Sequence, residues 1–384
     1  MIRMFKEADV FASSNFQMDS CKVILHSSAQ GAVRTIFAPQ YIENPYSNDF
    51  YDLHMKPYQS PVAEDFCLEI PEAVLYGERA VVTRDNLLVT DLRCSPPGRL
   101  NFHPEARRFE VMLPTLELDG YLTSERVDKP DVEFHGTACL LSSWEHWNYG
   151  AVLLRELPKI LDLRRLGLTN LPVISPASPW HRQLLNLFGI QNIIDHDRSK
   201  SYMFNKLIVP SQKSNNFNFD SDVVNFFQDA ADGVAGDTPC DNSAMIYVSR
   251  VSQGKKNKNY RRCVNEEALV DELLKLGFRI VEPESYSVKE QIAIFRSARF
   301  VVGPSGAGMF NTVFCRPGTE VMSIEPLPNW FWQHRNMFSS MNHSYGFITG
   351  GVVADDPSPT QKSWVADIPT ILKSAKKVMN KIGF

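Results

Sequence analysis

Apolar positions along the chain follow two rhythms. Up to about residue 130, short β-prone runs ("KVILHS", "AVRTIFA", "ERAVVT", "NLLVTDL", "RFEVMLPTLEL") are separated by Pro, Gly and Asn turns, which predicts a meander or small sheet. From "TACLLSSWEHWNYGAVLLRELPKILDL" onward, apolar strands such as "LPVISP" and "NKLIVPS" alternate with helical patterns such as "HRQLLNLFGI". That alternation predicts a parallel sheet covered by helices. A second α/β series follows the polar stretch "SQKSNNFNFDSD", residues 211–222, which reads as a linker. It comprises the helix "VVNFFQDAA", the strand "AMIYVSR", a basic loop, the helix "NEEALVDELLKLG", the strand "FRIVEP", the helix "SVKEQIAIFRSA" and the strand "RFVVG". Ser287 and Glu290 form a capping box at one helix start, and Gly277 ends the helix before it. The division expected is 1–210, β-rich to about 130 and then α/β, and 211–384, α/β throughout. The last helix, with an apolar stripe of Ile368, Ile371, Leu372, Ala375 and Val378, could pack back across to the first domain.

Composition narrows the classes. The chain has 384 residues, 43% hydrophobic and 22% charged, enough for a large core and, at roughly 150 residues per domain, for two domains. A net charge of -4 and a pI near 6.2 provide no basic field, so nucleic acid is not expected as a partner. "MIRMFKEADVFASSNF" lacks the apolar core of a signal peptide, and no stretch approaches the roughly 20 apolar residues of a membrane span. The expectation is a soluble, cytoplasmic protein with at most peripheral membrane association. The seven cysteines are scattered, with no CxxC pair and no metal-ligand spacing, which fits a reducing compartment.

Two segments carry candidate chemistry. In "FVVGPSGAGMFNTVFCRPGTEV" a buried strand breaks at Gly303-Pro304 and restarts with Met309, Phe310, Val313 and Phe314 at helical spacing. The turn Ser305, Gly306, Ala307, Gly308 would present bare N–H groups at a helix start, at the carboxyl end of a strand, where anionic ligands bind. The strand ending at Ser249-Arg250 is followed by Lys255, Lys256, Lys258, Arg261 and Arg262. Guanidinium groups bind phosphate oxygens bidentately, so Arg250 and Arg261 are weighted above the lysines. Asn265 occupies a helix N-cap position.

These residues resemble glycosyltransferase family 61 over roughly residues 145–326. The similarity lies in Ser249-Arg250, Arg261 before Asn265-Glu266, Glu290-Gln291, "GPSGAGMFN" with Asn311, and Pro317-Gly318. It implies a GT-B architecture, two Rossmann-like domains facing a cleft, and an inverting transfer without a metal or other cofactor. It also implies a nucleotide-sugar donor, UDP-linked, held by the C-terminal domain, a glycan acceptor on the N-terminal side, and a role in bacterial surface polysaccharide synthesis such as capsule. Two positions depart from the family pattern: Ser305 stands where a His is usual, and Asn148-Tyr149-Gly150-Ala151-Val152 stands for Asn-Tyr-Gly-His-Trp.

Glycosyl transfer needs positive charge on the departing diphosphate and a base for the acceptor hydroxyl. Arg250, Arg261 and the turn at 305–308 suit the first, and Glu325, ending "EVMSIEP", is placed to accept a ribose or base hydrogen bond. Glu145 and His146 are the candidate bases, between Trp144 and Trp147 whose faces could stack on a sugar; Glu156 and His135 are further candidates. The alternatives are a metal-dependent transferase using Asp195 and Asp197, and a catalytically degenerate GT-B protein that binds glycan or nucleotide sugar. Asp220 and Asp222 repeat the DxD pattern, which shows how readily it arises.

Overall fold

The two apolar rhythms become two main sheets, one mixed and one wholly parallel, in a mixed α/β protein. The computed structural model describes residues 2–4, 17–18, 21–27, 32–62, 65–77, 79–85, 87–89, 121–122, 129–143, 146–176, 178–236, 244–256, 261–353, 355–356 and 362–384. The run "RFEVMLPTLEL" lies outside them. The described chain forms two compact units, residues 1–31 with 63–215 and residues 32–62 with 216–384.

In the first unit, the strand Tyr202–Pro210 joins the two textures read from the sequence. On one side it pairs antiparallel with Asp65–Tyr76, which in turn pairs antiparallel with Cys21–Ser27 and Ala80–Val82. On the other side it is parallel to Val132–Leu140, followed by the parallel strands Val173–Ser175 and Ile193–Asp195. The sheet core includes Phe66, Leu68, Ile70, Leu140, Ile174, Phe204 and Leu207, all buried.

The polar stretch after this sheet, within which the chain passes from the first unit to the second, is packed rather than solvated. Ser211 to Ser214 are buried, and Lys213 is only 3% exposed. Its ammonium lies 2.5 Å from Asp162 Oδ2 and 3.2 Å from Asp65 Oδ1. Arg165 reaches the same two carboxylates at 3.1 and 3.5 Å. Buried Lys213 and the partly exposed Arg165 so balance two buried carboxylates, tying the helix Ile160–Arg165 to the start of the long antiparallel strand.

In the main sheet of the second unit every pairing is parallel, in the order Arg279–Val281, Ala244–Val248, Ala298–Pro304, Glu320–Glu325, Ser344–Thr349, Ile42–Glu43. The sixth strand comes from the early part of the chain and pairs Phe347 with Ile42. Tyr247, Phe300, Val302 and Met322 line the core with Trp364. Ile371, Ala375 and Val378 of the final helix Ile368–Ile382 also enter this unit's core. The helix Val288–Ser297 has its capping box, and Gly277 at φ +85 closes the helix Glu266–Lys275. Two local expectations are corrected. The segment Ala307–Phe314 is a 3-10 helix, not an α-helix. Asn265 caps nothing with its side chain; instead it exchanges hydrogen bonds with the backbone of Ala366 at 3.0 and 2.7 Å. Among the described residues, no helix is long and apolar enough to cross a membrane.

Removing one member of the buried ion cluster leaves a carboxylate undercompensated, so Lys213→Met should lower stability by about 3–5 kcal/mol in urea unfolding. A second test uses pH. Burial lowers His196 in the first unit and His343 in the second from 6.5 to about 4. The unfolded chain therefore binds more protons than the native state between those values, and stability falls as pH drops from about 6.5 towards 4. Each histidine should contribute a loss on the order of a few kcal/mol. Urea titrations at pH 7.5 and 5 should show a lower midpoint at pH 5, the decrease shrinking when His343 is replaced by Gln.

Candidate functional site

Crossovers in the parallel sheet diverge at one place. The strand Ala244–Val248 is followed in sequence by Arg279–Val281 on one side and then by Ala298–Pro304 on the other. The carboxyl edge between the first and third of these is the switch point, where open α/β sheets bind ligands. Arg250 leaves the first strand there, and Ser305 and Gly306 leave the third.

The side chains converge at that edge. Arg250 Nη1 donates to the Ser305 carbonyl at 3.1 Å, and Arg261 Nη1 approaches the same oxygen at 3.5 Å. A Cβ on Gly306, whose φ is +155, would lie 2.8 Å from Arg250 Nη1 and 3.9 Å from Arg261 Nη2. The glycine thus admits both guanidinium groups against the backbone. Gly303 and Gly308 serve packing: a Cβ at 303 would lie 2.6 Å from Met309 Sδ and 2.9 Å from Val248 Cβ, and one at 308 would lie 3.0 Å from Val248 Cγ1. They bring the turn flush against the neighbouring strand end. The N–H groups of Ala307 and Gly308 precede the first 3-10 bond, Met309 N to Gly306 O at 3.0 Å, and have no acceptor inside the helix. An open cleft of about 190 Å³ adjoins, lined by Arg250, Gly254, Arg262, Cys263 and Glu266 among others.

Two residues of this edge were not singled out by sequence reasoning. Glu266 is 4% exposed, and its Oε1 accepts from Arg250 N at 2.6 Å and from Ser249 Oγ and Tyr247 Oη, each at 3.2 Å. Burial raises its pKa against the pull of those donors. It was visible only as half of the Asn-Glu pair that resembles the family pattern. Trp330 lies in the short turn Pro328–Trp330, with the Arg261 guanidinium 5.9 Å from its ring centroid. Nothing periodic marks it.

The other expected residues sit elsewhere. Asn311 is buried, with Nδ2 donating to Gln291 Oε1 at 3.0 Å, behind the turn. Glu325 is fully enclosed, its Oε1 accepting from Ser323 Oγ at 2.8 Å and His334 Nδ1 at 2.5 Å. In the first unit, Trp144 and Glu145 lie outside the described residues. His146 is buried, its carbonyl accepting from His181 Nε2 at 2.7 Å and its ring 5.1 Å from His196. Trp147 is 39% exposed, with the Arg198 guanidinium 4.7 Å from its ring. Glu156 is buried and accepts from Ser143 N at 2.9 Å, within a π-helical turn over Val152–Glu156. It holds the backbone of Ser143, just past the strand Val132–Leu140. His135 is exposed, 3.9 Å from Glu133. Asp195 ends a strand, and Asp197 closes a turn on Ser199 at 2.6 and 3.0 Å. Asp220 caps the helix Ser221–Ala235 through Val223 N.

Guanidinium groups and N–H groups without helical acceptors thus meet at the switch point of a parallel sheet, an arrangement chemically able to hold an anion. The Glycosyltransferase 61 family model matches residues 65–322, more than half of the chain, so the protein belongs to glycosyltransferase family 61. It is a transferase enzyme whose substrates are a sugar donor and an acceptor. Comparison with curated proteins finds no match.

The Glu266 contacts generate a stability prediction. Glu266→Ala strands three donors and should lower stability by about 2–4 kcal/mol, whereas Glu266→Gln retains an acceptor and should lose less than half of that in the same urea titration.

Proposed function

We propose that this transferase moves a sugar, with inversion and without a required metal, from a nucleotide-sugar donor, UDP-linked, to a glycan acceptor. The observation that carries the reading is the meeting of Arg250 and Arg261 on the Gly-rich turn. Two fixed guanidinium groups supply the positive charge that a bridging cation would otherwise supply to a diphosphate. Ser305 to Gly308 contribute the N–H groups of the turn. Asn311 and Glu325 act from behind, holding the turn and the next strand end in place.

In the transfer, the acceptor oxygen attacks the anomeric carbon as the bond from that carbon to the diphosphate oxygen breaks. The electron pair leaves with the diphosphate, and the acceptor proton passes to a base. Glu145 or His146 is that base in this reading, with Trp144 and Trp147 as stacking faces for the acceptor sugar. A GT-B arrangement, in which a donor-side and an acceptor-side domain face one cleft, is its architectural form. Its setting is the cytoplasm, in the synthesis of a bacterial surface polysaccharide.

Arg250→Ala should slow transfer by roughly 10²–10³-fold while the fold survives by circular dichroism. Gly306→Val should weaken donor binding, because its side chain enters the space of the Arg250 guanidinium. Asp195→Ala should do neither, and EDTA should leave turnover unchanged. Wild-type turnover in Arg250→Ala, or EDTA inactivation reversed by manganese, would overturn the reading.

A further inference from the structure

The carboxyl edge of the parallel sheet continues beyond the arginines. The next strand in the sheet, Glu320–Glu325, exits into Pro326 and the turn Pro328–Trp330, which places an indole beside the same edge. Trp330 is partly exposed. Arg261 links it to the Gly-rich turn, since one guanidinium both approaches the Ser305 carbonyl at 3.5 Å and lies 5.9 Å from the Trp330 centroid.

Arg261 is held in this position by its own backbone. It adopts φ +46, a left-handed conformation that a long side chain takes only when its surroundings impose it. The imposing group is Trp364, which is 1% exposed and whose Nε1 donates to the Arg261 carbonyl at 3.2 Å. Backbone bonds from Trp364 N to Arg262 O at 2.9 Å and from Val264 N to Trp364 O at 2.8 Å pin the flanking residues. The cation is therefore a fixed joint between an anion-binding turn and a flat aromatic surface.

A nucleoside diphosphate has the same two parts in the same order, a charged diphosphate and a flat heterocycle, joined by a ribose. We infer that Trp330 is the stacking face for the nucleobase of the donor, with the diphosphate on the Arg250, Arg261 and Gly306 side of it. The inference rests on the diphosphate reading of this edge and adds the base subsite to it. Base-on-aromatic stacking tolerates any base, so Trp330 contributes affinity for the nucleotide as a class, while the choice among bases lies with polar groups at the ring edge.

The test compares two probes, UDP and inorganic pyrophosphate, by titration calorimetry on the full chain. Trp330→Leu keeps an apolar side chain and removes the ring; Trp330→Phe keeps a ring. Trp330→Leu should weaken UDP binding by about tenfold or more and leave pyrophosphate binding within about twofold, and Trp330→Phe should bind UDP within about threefold of wild type. UDP should also quench a component of tryptophan emission that is missing in Trp330→Phe, and pyrophosphate should not.

Equal loss of both probes in Trp330→Leu would overturn the inference, because it would mean that the indole only props Arg261. Unchanged UDP affinity in Trp330→Leu would overturn it as well. The diphosphate reading fails separately, if wild type does not bind pyrophosphate or if Arg250→Ala binds it as well as wild type does. Should Trp330→Leu fail to fold, the quenching difference between wild type and Trp330→Phe decides.

Discussion

A buried carboxylate controls where the chain leaves the strand Ala244–Val248. Glu266 accepts from Tyr247, Ser249 and Arg250, three donors within four consecutive residues. Because Glu266 also occupies the first turn of the helix Glu266–Lys275, its charge is favoured by the helix dipole while it holds the strand exit. The direction in which Arg250 departs is thus set by a helix that starts sixteen residues later. Every contact between Arg250 and the Gly-rich turn depends on that departure angle.

The second control is the absence of side chains. Gly303 and Gly308 lie where a Cβ would strike Val248, so the third strand's exit can press against the first strand's exit at backbone distance. Carboxylate and glycines act on the same few residues from opposite sides. One orients the cation, and the other lets the two strand exits close on each other, while Gly306 admits the cation to the backbone. The result is a rigid edge, and preorganised charge stabilises a developing anion without rearrangement at the moment of reaction.

Much of this was legible in the sequence because it rests on local rules. The capping box of Ser287 and Glu290, the terminator Gly277 and the alternation of strands and helices depend only on near neighbours, and they appear as expected. The grouping of Arg250 with the turn at Ser305 and Gly306 was also legible, since both follow buried strands of one parallel sheet. What escaped depends on distant partners. Ile42–Glu43 is too short to show a β pattern and is a strand only because Ser344–Thr349 pairs with it. Nothing in its polar run marks Lys213 as buried, because its partners Asp65 and Asp162 come from far upstream. Asn265 has the residue type and position of a cap, but the backbone of Ala366 satisfies it better, at both ends of its amide. A 3-10 helix at Ala307–Phe314 and an α-helix bury nearly the same apolar residues over so short a span, so periodicity alone does not separate them.

The interleaving of the two units bears on how the protein is made. Residues 32–62 are flanked on both sides by chain of the first unit, yet they supply the second unit's edge strand and the helix Asn48–His54. During vectorial synthesis the first unit has all of its chain once residue 215 has emerged. Residues 32–62 must by then wait without a sheet to join, because Ser344–Thr349 is made well after residue 215. A ribosome that stalls between these points holds a protein with one finished unit and an orphaned edge strand, which is a ready substrate for chaperones or for misplaced strand pairing. For the same reason no single cut in the chain releases the parallel-sheet unit whole. Its excision would require residue 62 to be joined to residue 216 through a new connection, an internal deletion rather than a truncation.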